Sequence, residues 1–204
     1  MRNEHKIKMP ERETKIILAS ASPRRADLLK TIGVEFEVAP SQVQERPHTD
    51  EAPPDYITRL ARAKVIAVAR KRESGLVIGA DTIVVLDGRV LGKPRDEEDA
   101  EGMLRQLSGR WHAVMTGVAL YDIASRREVA DYDKTLVRFA QLTEREIEWY
   151  SRSGEPMDKA GGYAIQGSGS LFIEEIAGNY FNVVGLPIPL VYRLARRLGY
   201  SFIG

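Results

Sequence analysis

Several short stretches of this chain combine residue types and spacings that suit a polyanionic ligand. Ser20-Ala21-Ser22-Pro23-Arg24-Arg25 follows a brief apolar run. It sets hydroxyls, free backbone amides and two arginines where Pro23 would open a helix, a ready anion site. On a helical wheel Arg25 falls on the side of Leu28, Leu29 and Ile32, so its guanidinium aims inward while Arg24 sits toward the edge. An ordinary capped helix whose arginine stems cover the core would look the same. Lys64 lies between Leu60 and Val68 on an apolar stripe, with Arg59, Arg62 and Arg70 on the other side. An ammonium there needs a core carboxylate, a route to the helix edge or a bound phosphate.

Gly79-Ala80-Asp81-Thr82 puts a carboxylate at the expected end of an apolar strand, the usual rim of ligand sites in open α/β sheets. Aspartate at a strand end is equally a turn former. Glu45, in a polar, proline-bearing stretch, is a candidate partner acid. Gly88 to Pro94 superficially resembles a phosphate loop, but three residues separate its glycines and Pro94 stands where a hydroxyl must hold magnesium. Lys93 can still act there as a rigidly carried point charge, or stand in solvent beside a turn. In Gly161-Gly162-Tyr163-Ala164-Ile165-Gln166-Gly167 the glycines permit close backbone approach, and Gln166 offers one amide donor face and one acceptor. That amide suits a base edge; a glycine-rich turn is the plainer reading.

The elements that must carry these residues follow from periodicity and turn chemistry. Residues 15–19 read as a strand, a helix opens at Pro23 and is closed by Gly33, and residues 35–39 read as a second strand. A loop over 40–54 leads to a long helix over 54–72. A strand over 76–80 then delivers Asp81 and Thr82, and a hairpin over 83–91 turns at Asp87-Gly88. A helix over 96–107, strands over 110–121 and 128–139, and a helix over 143–153 opened by a Thr143/Glu146 capping box come next. A strand over 171–176, a loop and a helix over 187–198 complete the chain. The expected organisation is a flexible leader over 1–13 and a single α/β domain over 14–204.

Composition removes whole classes. At 43% apolar and 29% charged residues, the chain has enough apolar material for a core and too little charge for disorder. Thirty basic against 29 acidic residues leave +1, which gives no global attraction to nucleic acid or anionic lipid. Without cysteine there is no disulfide framework, zinc knuckle or thiol nucleophile, and a reducing cytoplasm is expected. No apolar run reads as a signal peptide or a membrane span. Asp96 to Asp99 complement a helix dipole rather than a metal, and His5, His48 and His112 show no metal spacing.

In this order, the motifs above, with Arg59 to Lys64, Leu107-Ser108-Gly109, Thr116-Gly117-Val118, Asp158-Lys159-Ala160-Gly161 and Gly185-Leu186-Pro187, resemble the Maf (septum-formation protein) family from about residue 16 to residue 198. The resemblance implies a nucleoside triphosphate pyrophosphatase with an α/β fold like that of the inosine triphosphatases. Its features would be a central mixed twisted sheet with flanking helices and two lobes around an active-site cleft, commonly in a homodimer. Tyr163-x-Ile165-Gln166-Gly167 is similar to the branch acting on dTTP and UTP. Carried over by motif, Asp81 would be the proton acceptor, with Glu45, Lys64 and Lys93 in the catalytic set. Ser20, Arg24, Arg25, Thr82 and Gln166 would bind substrate, and Arg24, Thr82 and Gln166 would bear on its choice. Glu45 and Asp81 would hold a divalent cation, magnesium with manganese or cobalt as alternatives.

Gln44 departs from the family pattern, where relatives often carry a second acid, and leaves the number of metal-binding carboxylates open. The implied reaction is attack of water at the α-phosphorus, releasing nucleoside monophosphate and pyrophosphate, with Arg25, Lys64 and Lys93 converging on the triphosphate. Two other readings stand beside it: a pyrophosphatase for purine or modified triphosphates, and a nucleotide-sensing or septum-regulating binding module. No stable partnership with nucleic acid or membrane is expected.

Overall fold

The computed structural model describes residues 15–203, and the leader expected over 1–13 lies outside them. Along the chain, β1 (Ile16–Leu18), α1 (Pro23–Thr31), β2 (Phe36–Val38) and α2 (Pro53–Ala69) lead to β3 (Leu76–Leu86) and β4 (Arg89–Leu91). Then come α3 (Glu97–Leu107), the long strands β5 (Trp111–Asp122) and β6 (Arg127–Phe139), and α4 (Glu144–Ser151). Three single-turn 3-10 segments precede β7 (Ile173–Ala177), α5 (Tyr180–Val184) and α6 (Ile188–Leu198). The sheet runs β2-β1-β3-β5-β6-β7 with β4 beside β3; β1 is parallel to β2 and β3, and the remaining pairs are antiparallel. The central mixed sheet with flanking helices that the family resemblance implies is present.

β1 and the first half of β3 are apolar on both sides because both faces are covered. Ile17 and Val77 pack with Val65 of α2, while Leu18 and Ile78 pack with Leu29 of α1 and Leu190 and Leu194 of α6. The far half of the sheet has its own core, where Val84, Val114 and Phe139 meet Leu104 of α3 and Ile147 and Tyr150 of α4. β3 is the strand common to both.

β3 corrects one expectation. Asp81 is not at a strand end: β3 continues unbroken past it, because β5 pairs with it from Leu76↔Asp122 to Val85↔Ala113. The polar Asp81-Thr82 pair reads as a break only in isolation. On the opposite edge β1 pairs with Leu76 to Ile78 and β4 with Val84 to Leu86, which leaves the intervening edge without a strand. That notch in the sheet edge lies between the two cores.

α2 reaches the notch because it lies flat on the sheet. Its buried stripe includes Ile57, Leu60, Lys64, Val65 and Val68, and each large aliphatic side chain removed from water contributes about 1.5–3 kcal/mol. The floor under it is made of small residues. A Cβ on Gly79 would stand 2.7 Å from Val65 Cγ1, and one on Gly117 would stand 2.5 Å from the Ile57 carbonyl oxygen. Gly117 is the register partner of Asp81, so the seat of α2 and the carboxylate share one spot. Other expectations differ at their ends: α2 begins at Pro53 and ends at Ala69, and the stretch after β7 holds the short helix α5, capped by Asn179. The Thr143/Glu146 capping box is present, and Asp96 caps α3.

Candidate active site

The notch opens into a cleft of about 580 Å³ whose walls include Ser20, Arg24, Arg25, Glu45, Lys64, Asp81, Thr82, Lys93 and Gln166. Every site residue expected from the sequence is thus at one place, brought from α1 and the turn before it, the stretch before α2, α2 itself, β3, the end of β4 and the glycine-rich segment before β7.

The strand's alternation sends neighbouring residues of the notch to opposite faces. Asp81 turns to α2, where Lys64 Nζ donates to its Oδ1 at 2.5 Å and to Glu45 Oε1 at 2.6 Å. Of the partners open to Lys64, the structure therefore shows carboxylates. Lys64 and Asp81 are buried, whereas the Glu45 side chain is 43% exposed at the mouth. Burial pushes the Asp81 carboxyl above its ordinary value, and the charges of Lys64 and Arg25 oppose this without cancelling it. Burial acts on Glu45 in the same direction, but the hydrogen bond and charge of Lys64, with Lys93 and Arg25, hold it below its ordinary value. Two neighbouring carboxyls are so driven apart, the pattern that separates a proton acceptor from a permanent anion.

Thr82 turns to α1. Arg25 fills the notch there: Nε donates to the Gly185 carbonyl at 2.8 Å, Nη1 to Ser20 Oγ at 3.1 Å and the Ala80 carbonyl at 2.8 Å, and Nη2 to Thr82 Oγ1 at 3.0 Å. Four of its five N–H groups are engaged by the protein. Arg25 is consequently a brace that delivers charge, with one N–H left to meet a ligand. Thr116 Oγ1 donates its single proton to the Asn182 carbonyl at 3.0 Å, so in the 2.9 Å contact between the two threonines Thr82 must be the donor. Thr82 faces the cleft as an acceptor.

Lys93, exposed beside the cleft, makes no ion pair or hydrogen bond among the described residues, and a second cation lining the cleft, Arg24, lies 3.5 Å from Asp158. α1 adds its N-terminus, which has no acid in its first turn and no side-chain cap. The stretch carrying Glu45 has no regular structure and is held by Arg59, whose Nε and Nη2 each meet a Glu51 oxygen at 2.6 Å while Nη2 also reaches the Arg46 carbonyl at 3.0 Å. That pairing keeps Glu51 at about 2. Arg59 is not among the site residues expected from the sequence, although its place on the polar side of α2, eight residues after Glu51, is a signal for this pairing.

The donor set suits a hard divalent cation. Glu45 Oε1 and Asp81 Oδ1 are taken by Lys64, and among the described residues no protein donor meets the other oxygen of either carboxylate. Magnesium is commonly held by one or two carboxylates together with substrate phosphates. The described residues hold no cluster of three or more histidine, cysteine or acidic side chains that could bind a metal, so a ligand would have to complete the set.

The glycines of the segment over 161–167 approach protein. A Cβ on Gly161 would stand 2.8 Å from Val84 Cγ2, and on Gly167 2.7 Å from Glu155 Oε2. Gln166 itself is exposed at the cleft, and its amide takes no hydrogen bond among the described residues.

Residues 15–198 match the family described as Maf-like protein. A dTTP/UTP pyrophosphatase of Pelotomaculum thermopropionicum is 50% identical over 92% of this chain and 98% of its own length, and one of Syntrophus aciditrophicus is 48% identical over 91% and 90%. Among solved structures, a nucleoside-triphosphatase / dITP/XTP pyrophosphatase of Mycobacterium abscessus matches with a TM-score of 0.44 at 18% identity, over 91% of this chain and 97% of that one. The extent of the family match and the near-complete alignment with relatives at half identity are decisive: the chain belongs to the Maf-like protein family.

Proposed function

We propose that the protein is a nucleoside triphosphate pyrophosphatase that prefers dTTP and UTP and releases nucleoside monophosphate and pyrophosphate. The observation that carries this reading is the Lys64 ammonium bridging Glu45 and Asp81 within a cleft lined by further cations. The names of the half-identical relatives supply the substrate.

In this reading Lys93, Arg24 and the remaining N–H of Arg25 meet the phosphates, with Ser20 and the amides at the start of α1 alongside. Asp81 accepts the proton of the attacking water: its burial makes it the more basic of the two carboxyls, and Lys64 fixes its orientation through Oδ1. Glu45 and Asp81 would hold a divalent cation, magnesium with manganese or cobalt as alternatives, and when bound it would neutralise charge developing on the phosphoryl oxygens. Gln166 reads the base, since uracil and thymine offer a ring N–H beside a carbonyl, the complement of one primary amide. Thr82 contributes an acceptor only.

We place this activity in the cytoplasm and in a homodimer. Trp111 and Leu136, each about two-fifths exposed on one face of the β5–β6 pair, support an interface between copies. The described residues include no helix long and apolar enough to cross a membrane.

Chromatography of the products tests the reaction. With dTTP and magnesium we expect dTMP and pyrophosphate; dTDP and orthophosphate would replace the proposal with an ordinary phosphohydrolase.

A further inference from the structure

We infer that Tyr150 and Glu155, which lie outside the cleft, are positioning residues for base selection, clamping the backbone on both sides of Gln166. The inference rests on the reading of Gln166 as the base-contacting group.

The Tyr150 hydroxyl accepts the N–H of Ala164 at 3.1 Å and donates to Glu155 Oε1 at 2.8 Å. The same Oε1 accepts the N–H of Gly169 at 3.1 Å, and Oε2 accepts the N–H of Ser168 at 3.0 Å. One relay therefore ties residue 164 to residues 168 and 169, with Ile165, Gln166 and Gly167 spanning between the tied points. The anchor is rigid: Tyr150 has no exposed surface, and its ring meets Phe172 edge-on at 5.2 Å and 88°.

The glycines of the segment fit this clamp. A Cβ on Gly169 would stand 2.6 Å from the Tyr150 hydroxyl, and one on Gly167, whose φ is +100°, would stand 2.7 Å from Glu155 Oε2. Larger residues at either position would push the clamp away. Burial raises the Glu155 carboxyl, but the Gly169 and Ser168 N–H groups, the Tyr150 hydroxyl and the charge of Lys159 outweigh it and keep it below its ordinary value. An ionised carboxylate accepting three hydrogen bonds is a strong fixture. Lys159 also holds the backbone of Glu155, its Nζ donating to that residue's main-chain carbonyl at 2.6 Å.

Neither Tyr150 nor Glu155 lines the cleft, so their effect on substrate passes through the segment they hold. A Gln166 whose backbone is held in place presents its amide at a smaller ordering cost on binding, whereas one on a loose backbone can adapt to the wrong edge.

The test compares kcat and KM for UTP and CTP in wild type, Tyr150→Phe, Glu155→Gln and Gln166→Ala, with urea midpoints and amide exchange measured beside them. Tyr150→Phe keeps the packed ring, and Glu155→Gln keeps the shape while setting an amide against an N–H donor, so either serves if the other does not fold. We expect each to lower the UTP-to-CTP ratio of kcat/KM by about tenfold, the weight of one hydrogen bond, through a raised KM for UTP at unchanged kcat. The amides of Ala164, Ser168 and Gly169 should exchange faster. A ratio that survives in both clamp variants while Gln166→Ala abolishes it would overturn the inference and leave the base reading standing. A ratio that survives in Gln166→Ala would remove the base reading, and the inference with it.

Discussion

Ile57 and Gly117 touch through their backbones: a Cβ on the glycine would have to stand 2.5 Å from the Ile57 carbonyl oxygen and 2.9 Å from the Thr58 nitrogen. The contact is the point at which α2 rests on β5, and Gly117 faces Asp81 across the β3–β5 ladder. Because the obstructing atoms are backbone, no side-chain rotation relieves the clash. Gly117→Ala must lift α2 and with it the ammonium of Lys64, so we expect a loss of about 1–3 kcal/mol in urea unfolding, the range of overpacked cores. Triphosphate turnover should fall by more than that loss of folded protein explains. A variant of wild-type stability and activity would mean that α2 can shift without moving Lys64.

Asp81→Asn tests the proton acceptor. The substitution keeps the volume and leaves Lys64 paired with Glu45 at 2.6 Å, so the fold should survive. What it removes is the basic oxygen, and losing a positioned general base costs about 10²–10⁴-fold in rate. We expect kcat to fall within or beyond that range, with nucleotide binding, read by a thermal shift with dTTP, retained. Near-normal kcat in the folded variant would exclude Asp81 from the chemistry.

How much of this was visible in the sequence depends on range. Lys64 and Arg25 stood out because a charge at a buried phase of a helix is anomalous in the periodicity itself, and both sit where that anomaly pointed. Their partners were not visible. Glu45 and Asp81 lie 19 and 17 residues from Lys64, and sequence alone could not choose between them and a phosphate. Arg25 was expected to face the ligand, yet most of its donors close a notch in the sheet edge that exists only because β1 ends and β4 begins where they do. The glycines before β7 announced close approach without saying to what; Tyr150 and Glu155 belong to other elements, and their contacts with that segment are tertiary. α5 is indistinguishable from loop in the sequence because five residues are too few for a helical period to show.

His112 gives a prediction for stability. It is 3% exposed on β5, its Nε2 lies 2.7 Å from the Tyr163 hydroxyl, and its ring meets Phe139 edge-on at 5.1 Å. Burial drives the imidazole down from the ordinary 6.5 to about 4, so the folded state holds it neutral across a range in which the unfolded chain binds a proton. Its contribution is therefore complete above about pH 6.5 and is lost progressively as the pH falls toward 4, by about 3 kcal/mol over the whole span. Other groups also titrate in acid, so the useful quantity is the difference from His112→Gln, which keeps a polar partner for Tyr163 and does not titrate. At pH 7 we expect wild type to be the more stable. Between pH 7 and pH 5 that advantage should shrink by about 2 kcal/mol, since protonation of the unfolded imidazole begins near 6.5 and each further unit is worth about 1.4 kcal/mol. Urea unfolding of both proteins at the two pH values measures it. A difference that stays constant would mean that His112 takes up its proton in the folded protein as readily as in the unfolded chain, by opening the Tyr163 contact to water.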